Sequence, residues 1–400
     1  MSAPIPLAEA QARLLALAAP LPIQRVDIPG ALGRYLAEPL IARRTQPAGP
    51  VSAMDGYAVC PGDLAGPWTV TGESAAGHPF AGRLVPGQAI RISTGALLPA
   101  DAGAVIVQED LVRDGDRLTL TGDGPAPDDR HIRKQGSDFA ADTILLAAGT
   151  RIGAAQIALA LAAGHSHLAV RRPPVVAILD SGDELAADPE NCAAHQIPAS
   201  NGAMLAALVA SLPCQVRRLD PVPDSLGALV AALEAAGDAD VIVTTGGASV
   251  GDHDLVRPAL ERWGADLAFW KVAIKPGKPL MVATHGSRIV LGLPGNPVSS
   301  MVTAYMFLMP LLRALSGAAQ SLPRPLMLRA AAPLPACGNR QEFVRARFAD
   351  GGLVPVTTQD SGALGALAAT VVLIDRPANT PAIAAGTDVP AYFLENGGLA

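Results

Sequence analysis

Between Val241 and Asp254 the sequence reads VIVTTGGASVGDHD, and two kinds of chemistry would use those residues. Gly247-Ala248-Ser249-Val250-Gly251 matches the G-x-S-x-G elbow that exposes a nucleophilic serine at the end of a buried strand. The same glycines, with Gly246, would equally let backbone N–H groups close on an anion, with Ser249 as one more donor. Two other segments share the pattern, AILDSGDEL and VLGLPGNPVSS. Each is an apolar run followed by glycine with hydroxyl, amide or acidic residues, opening toward a helix. In a parallel sheet such loops lie at the carboxyl ends of the strands, where ligands bind. In the third loop, after Pro294, Asn296 is expected to be an N-cap and Pro297 the first helical residue.

The elbow reading needs an acid and a late histidine after the serine. Only His253 and His285 follow Ser249, neither in the final part of the chain, and no HGGG segment is present. The anion cradle is therefore favoured over the serine hydrolase. Named phosphate motifs fail as well. Gly246 to Gly251 has Walker glycine spacing, but Asp252 stands where lysine is required, and no G-x-G-x-x-G follows a strand.

Charges suited to a cradle come next, in FWKVAIKPGKP, with Lys271, Lys275 and Lys278. Prolines 276 and 279 and Gly277 put the last two lysines in a tight loop. Carboxylates occupy other loops: Asp55 in SAMDGYAV, Asp183 and Glu184 in SGDEL, then Asp224, Asp252 and Asp254. Lysines with carboxylates point to an anionic substrate handled through Mg²⁺, which takes carboxylate oxygens and bridges phosphates. His131, His165 and His167 have no partner spacing and read as structural.

Several elements must position these groups. Helical patterns are expected at Leu7–Ala18 and Leu32–Ile41, and another in GAAQIALALAAG, closed by Gly164. Short β-like runs between glycines and prolines (WTVTG, QAIRIST, AVIVQED, RLTLTG) fill 44–138. From 173 to 322 the apolar runs VVAILD, VIVTT and RIVLGL alternate with helical segments, which predicts an α/β layer with a parallel-type sheet. The remainder turns β-rich, with a hairpin in RARFADGGLVPVTT. The expected organisation is a helical or mixed linker domain (1–43 and 139–172), an inserted β-rich domain (44–138), the α/β domain (173–322) and a C-terminal β domain (323–400).

Composition bounds the function class. The chain has 400 residues, enough for two to four domains, with a formal net charge of −6 and no basic stripe interleaved with aromatics, which argues against nucleic acid. Hydrophobic content reaches 50 %, yet no segment sustains the roughly 18 uncharged apolar residues of a membrane span. The best candidate, Val298–Leu312, is short, contains Pro310 and reads as a buried core helix. The N-terminus carries Glu9 and Arg13 within its apolar stretch and reads as an amphipathic helix rather than a signal peptide. Cys60, Cys192, Cys214 and Cys337 form no C-x-x-C, so reduced thiols in a cytoplasmic protein are expected, with no membrane association.

Together these segments resemble the molybdopterin molybdenumtransferase family, which includes bacterial MoeA and the gephyrin E domain. The matching stretches are SAMDGYAV, RISTGALLPADAGAVIVQED, IRKQGSDF, SGDEL, TTGGASVGDHD, FWKVAIKPGKP and LGLPGNPVSS, followed by GNRQEFVRA and QDSGALGAL, in family order over nearly the whole chain. The resemblance implies a multidomain subunit whose central α/β domain binds adenylylated molybdopterin. It also implies insertion of molybdate with release of AMP, Mg²⁺ as cofactor, and a homodimer whose active site is shared between subunits. By position, Asp55, Thr94, Glu184, Asp224 and Asp254 match residues tied to activity, and Asp55, Glu184 and Asp254 the Mg²⁺ ligands. Ser249, Lys275, Lys278, Arg345 and Ser361 match an oxyanion pocket; Gly246, Gly247, Lys271, Pro294, Asn296 and Pro297 belong with the substrate-binding loops. Contacts with the molybdopterin adenylyltransferase and with chaperones of apo-molybdoenzymes follow from the same resemblance. Departures are Ala199 before Ser200-Asn201 where the family has aspartate, Gly49-Pro50-Val51 for Phe-Asp-Asn, and Ser137 for glutamate. The alternatives are a pterin-binding scaffold that kept the fold, as gephyrin's E domain also clusters receptors, and an adenylyltransferase-type domain acting alone. Intact Asp55, Glu184, Lys275 and Lys278 favour the enzyme, and the extra β modules argue against the last.

Overall fold

The computed structural model describes residues 3–247 and 255–394. Its centre is a six-stranded sheet with the spatial order Gln215–Arg218, Val175–Asp180, Val241–Thr245, Arg288–Leu293, Met281–His285, Asp266–Trp270. The first four strands are parallel, and every residue of Val175–Asp180 and Val241–Thr245 is buried, as expected for strands covered on both faces. Met281–His285 runs antiparallel to both of its neighbours, Arg288–Leu293 and Asp266–Trp270, so the sheet is mixed. The reversal is local: His285 pairs with Arg288 across Gly286-Ser287, and Gly286 takes a φ of +61° that a two-residue hairpin turn demands.

Helices cover both faces. Leu226–Ala235 and Val256–Trp263 pack on one; Asn201–Val209, the first helix Leu7–Ala16 and the segment Pro297–Leu315 pack on the other. The first helix thus joins the α/β core although 158 residues separate it from the first central strand, Val175–Asp180. Pro297–Leu315 is one continuous helix of 19 residues, long and apolar enough to span a membrane by length and composition. That corrects the shorter segment Val298–Leu312 read from sequence. The helix accommodates Pro310 through a π-helical turn at Ala304–Leu308 and is buried in the core. Pro310 has no N–H for the carbonyl four residues back, and Gln11 of the first helix donates Nε2 to that oxygen, Met306 O, at 2.9 Å.

The expected helix at Leu32–Ile41 does not form. A 3₁₀ turn at Pro29–Ala31 is followed by Gly33 at φ +76°, after which Tyr35 and Leu36 bridge to Arg151 and Val170, and Leu40–Ile41 is a strand. A left-handed residue and Pro39 outweigh the apolar spacing. Ile23–Asp27 pairs with His167–Arg171, so the two sequence-distant halves of this region close on each other around the insertion. The helix Ala154–Ala162 stops as expected: Gly164 sits at φ +90°, donating to Leu161 O while His165 N reaches Ala160 O.

The inserted module is a six-stranded sheet ordered Ala104–Val107, Gly56–Val59, Gln88–Ile92, Trp68–Ser74, Arg117–Leu120, Leu111–Asp114. The C-terminal sheet contains the hairpin Gln341–Ala349 with Gly352–Pro355. It also takes in Ile274–Lys275 from the α/β region, parallel to Gln341–Glu342. The lysine loop is therefore part of two domains at once.

Candidate functional site

The register aligns Asp180 with Thr245 and Thr245 with Leu293, so the three glycine-bearing loops leave the sheet at the same level. They surround a cavity of about 890 Å³. Glycine is what allows the loops to touch. A Cβ on Gly246, at φ +90°, would lie 2.4 Å from Ser181 O, and one on Gly247 would lie 2.7 Å from Val256 Cγ2.

Seven of the site residues expected from sequence line this cavity: Glu184, Asp224, Gly246, Gly247, Pro294, Asn296 and Pro297. Asp183 holds the Asp224 loop, its Oδ1 accepting from Asp224 N at 3.0 Å. Asn296 is the N-cap and Pro297 the first residue of the helix, as expected. The Asn296 side chain does not cap, however; its Nδ2 donates to Ser361 Oγ at 3.0 Å, and Val298 N donates to Ser361 O at 3.0 Å. Ser361 is thereby drawn from the C-terminal domain to the cavity wall, where its neighbour Gly362 takes part in the lining.

Sequence reasoning missed Asp180, Asn201 and Thr245, which also line the cavity. Asp180 is buried, accepting from Thr245 Oγ1 at 2.6 Å and from Gly202 N at 3.0 Å. Asn201 Nδ2 donates to Gly295 O at 2.7 Å. Asp180 ends its strand at the crevice edge, a position that marks ligand contact in a parallel sheet and was the available signal. The Ala199-Ser200-Asn201 departure falls in the same lining.

The lysines occupy different settings. Lys271 is buried at φ +71° with Nζ 4.1 Å from the Trp270 ring centroid, a cation–π contact. Lys275 Nζ lies 3.3 Å from Glu342 Oε1. Lys278 is exposed; its carbonyl accepts from Val272 N and Leu280 N, both at 3.0 Å, and the following Pro279 lines the cavity. Arg345 is fully buried, and its guanidinium donates to Thr358 O, Asp360 O and Ala363 O at 3.0, 2.8 and 3.4 Å. Burial holds this guanidinium below its ordinary pKa.

Asp55 and Thr94 come together elsewhere, on the inserted module, where Thr94 N donates to Asp55 Oδ1 at 2.6 Å. That backbone bond, then the Thr94 side chain and the charge of Arg91, hold the exposed carboxyl below the usual carboxylate range. Neither residue lines the cavity. Ser249 and Asp254, with Asp252 and His253, lie outside the described residues. His285, the other histidine of the elbow reading, is stacked on Trp263 with ring centroids 3.9 Å apart.

Comparison with known proteins accounts for this arrangement. Residues 5–164 match the MoeA N-terminal region (domains I and II), 177–314 the probable molybdopterin binding domain, and 327–394 the MoeA C-terminal region (domain IV). A molybdopterin molybdenumtransferase of Haemophilus influenzae is 35 % identical over 306 residues, 75 % of each chain. The chain belongs to the molybdopterin molybdenumtransferase family. A family member from Synechococcus elongatus is 34 % identical over 94 % of this chain and 95 % of its own. The crystal structure of a molybdopterin biosynthesis MoeA protein from Pyrococcus horikoshii OT3 superposes with a TM-score of 0.84 at 25 % identity, covering 98 % of this chain and 100 % of that one. Membership bears out the family resemblance and the multidomain α/β and β-rich fold, and leaves the serine hydrolase and the isolated adenylyltransferase-type domain without support.

Proposed function

We propose that this chain inserts molybdate into adenylylated molybdopterin and releases AMP, acting in the cytoplasm as a homodimer. The observation that carries the reading is the cavity at the strand ends, joined to membership of the transferase family. Its chemistry suits that substrate. Close-packed glycine backbone brings N–H groups within reach of phosphate oxygens. The loop of Lys275 and Lys278, with Ser249 and Ser361, would receive the oxyanion, and Lys271 would stiffen that loop through Trp270.

The carboxylates Glu184 and Asp224 fit Mg²⁺. The ion would be held by one or two carboxylates and completed by substrate phosphates. When bound, Mg²⁺ would neutralise the phosphoanhydride whose cleavage frees AMP. Asp55 and Thr94 would act on the cavity of the partner subunit, together with Asp254 of the glycine loop.

The test is to incubate the purified full-length chain with adenylylated molybdopterin, Mg²⁺ and molybdate and to follow AMP. Molybdate-dependent AMP release is the expected result. Tight binding of the pterin nucleotide without AMP release would leave the scaffold reading in its place.

A further inference from the structure

We propose that Arg91 is a positioning residue for the Asp55–Thr94 pair: through Gly56 and Gln108 it holds the turn that carries Asp55. This rests on the functional reading above, in which Asp55 acts on the partner subunit's cavity, and it names a residue to which that reading gives no part.

Arg91 sits on the strand Gln88–Ile92, and in the sheet Gly56–Val59 lies between that strand and Ala104–Val107. The guanidinium reaches across the start of the middle strand. Its Nη1 donates to Gly56 O at 2.9 Å and its Nη2 to Gln108 Oε1 at 2.9 Å. Gln108 follows the outer strand directly, and its own N–H donates to Asp55 O at 3.2 Å. The fork therefore grips the carbonyl of Gly56 itself and that of Asp55 through Gln108. The third tie comes from the strand of Arg91: Thr94, three residues further on, gives its N–H to Asp55 Oδ1 at 2.6 Å. Two successive carbonyls and the carboxylate are thus each fixed from a different direction.

The clamp is itself held in place. The Arg91 guanidinium lies 5.4 Å from the centroid of the buried Tyr57 ring, a cation–π contact. Gln108 accepts from Arg91 at one end of its amide and donates Nε2 to Glu109 Oε1 at 3.2 Å from the other, which sets the orientation of the amide. Gly56 lets the middle strand come close enough, since a Cβ there would lie 2.0 Å from Ile106 O. A planar fork holds two acceptors in one geometry; a lysine, with a compact ammonium on a flexible stem, keeps the charge and loses the span.

The experiment compares Arg91→Lys and Arg91→Gln in the purified full-length chain. AMP release from adenylylated molybdopterin gives kcat and KM, and amide hydrogen exchange at Thr94 is read in parallel. A positioning role predicts that both substitutions lower kcat about tenfold or more and change KM less than about twofold, because Arg91 does not line the cavity that takes the nucleotide. Exchange at Thr94 should quicken. In the Asp55→Asn background Arg91→Gln should lower kcat by less than a further twofold or so, since residues acting through one another do not add. Wild-type kcat in Arg91→Lys, a loss confined to KM, or full multiplication of the two losses would overturn the assignment. Should both arginine variants fail to fold, Gln108→Leu decides: it removes the acceptor for Arg91 and keeps the N–H bonded to Asp55 O. It should reproduce the loss in kcat and the faster exchange at Thr94, and wild-type behaviour would overturn the proposal. Wild-type protein that released no AMP would take down the functional reading and this one with it; active wild type beside an unimpaired Arg91→Lys would take down this one alone.

Discussion

The chain holds two sites for acidic residues, and they are built in opposite ways. In the α/β cavity each polar group is tied to a different loop: Asp180 to Thr245 and Gly202, Asn201 to Gly295, Asn296 to Ser361. On the inserted module Asp55 is tied to Thr94 within the same module, and both side chains stand in solvent without a cavity around them. A cavity assembled from parallel strand ends has walls because the sheet supplies several loops at one level. A pair of residues on the inserted module offers reactive groups but no walls. Under the proposed function it would serve chemistry against the partner subunit's cavity.

The largest effect should come from breaking each half in turn. Glu184→Gln and Asp55→Asn should each lower AMP release about tenfold or more, with folding retained. Co-expressed, the two variants should form heterodimers in which one site is wild type, restoring up to about half of the activity per dimer. Heterodimers that exchange subunits yet stay inactive would end the view of the module as half of a shared site.

Next in size is Ser249. As a hydrogen-bond donor to a charged group, its replacement by alanine should cost about 1.5–3 kcal/mol in AMP release, and a fluorophosphonate should not label the protein. Stoichiometric labelling at Ser249 would turn the cavity into a hydrolase site and remove the need for the module altogether.

A glycine pair sharpens the contrast between a walled and an open site. Gly246 at φ +90° and Gly95 at φ +82° would both be strained by a side chain, at roughly 1–2 kcal/mol. Only Gly246 also meets backbone, 2.4 Å from its ideal Cβ, whereas Gly95 beside Thr94 has nothing within 4 Å. Gly95→Ala should lower the melting temperature a little, while Gly246→Ala should lower it further and abolish binding of the pterin nucleotide. Equal losses in the two variants would mean that close loop approach is not what shapes the cavity.

The smallest effect concerns Asp55 itself. Its carboxyl is held down first by the Thr94 backbone N–H, so Thr94→Val should leave it below the ordinary carboxylate range and raise it only in part. A depressed pKa stabilises the folded module above the unfolded value, and that contribution is lost as pH falls through the folded one. Carboxyl NMR titration checks this; a full return to the ordinary value in Thr94→Val would put the side chain, not the backbone, in charge.

Sequence by itself determined the parts that depend on neighbours along the chain. Fully apolar runs became buried strands at Val175–Asp180 and Val241–Thr245, Gly164 ended its helix, and the glycine loops fell at strand ends, because period, burial and turn chemistry are local. The cavity residues Glu184, Asp224, Gly246 and Asn296 were legible for the same reason. Tertiary structure decided the rest. The apolar spacing of Leu32–Ile41 yielded to strand pairing with Ile144–Leu146, the helix through Pro310 was kept whole with Gln11 bonded to Met306 O, and the sheet turned antiparallel at Gly286. Asp180 gained its place from Thr245 and Gly202, and Arg345 its carbonyl partners from a loop 13 to 18 residues away. No local pattern encodes such pairings. A buried polar group must find its partner wherever the packed chain brings one, and only the completed fold fixes where that is.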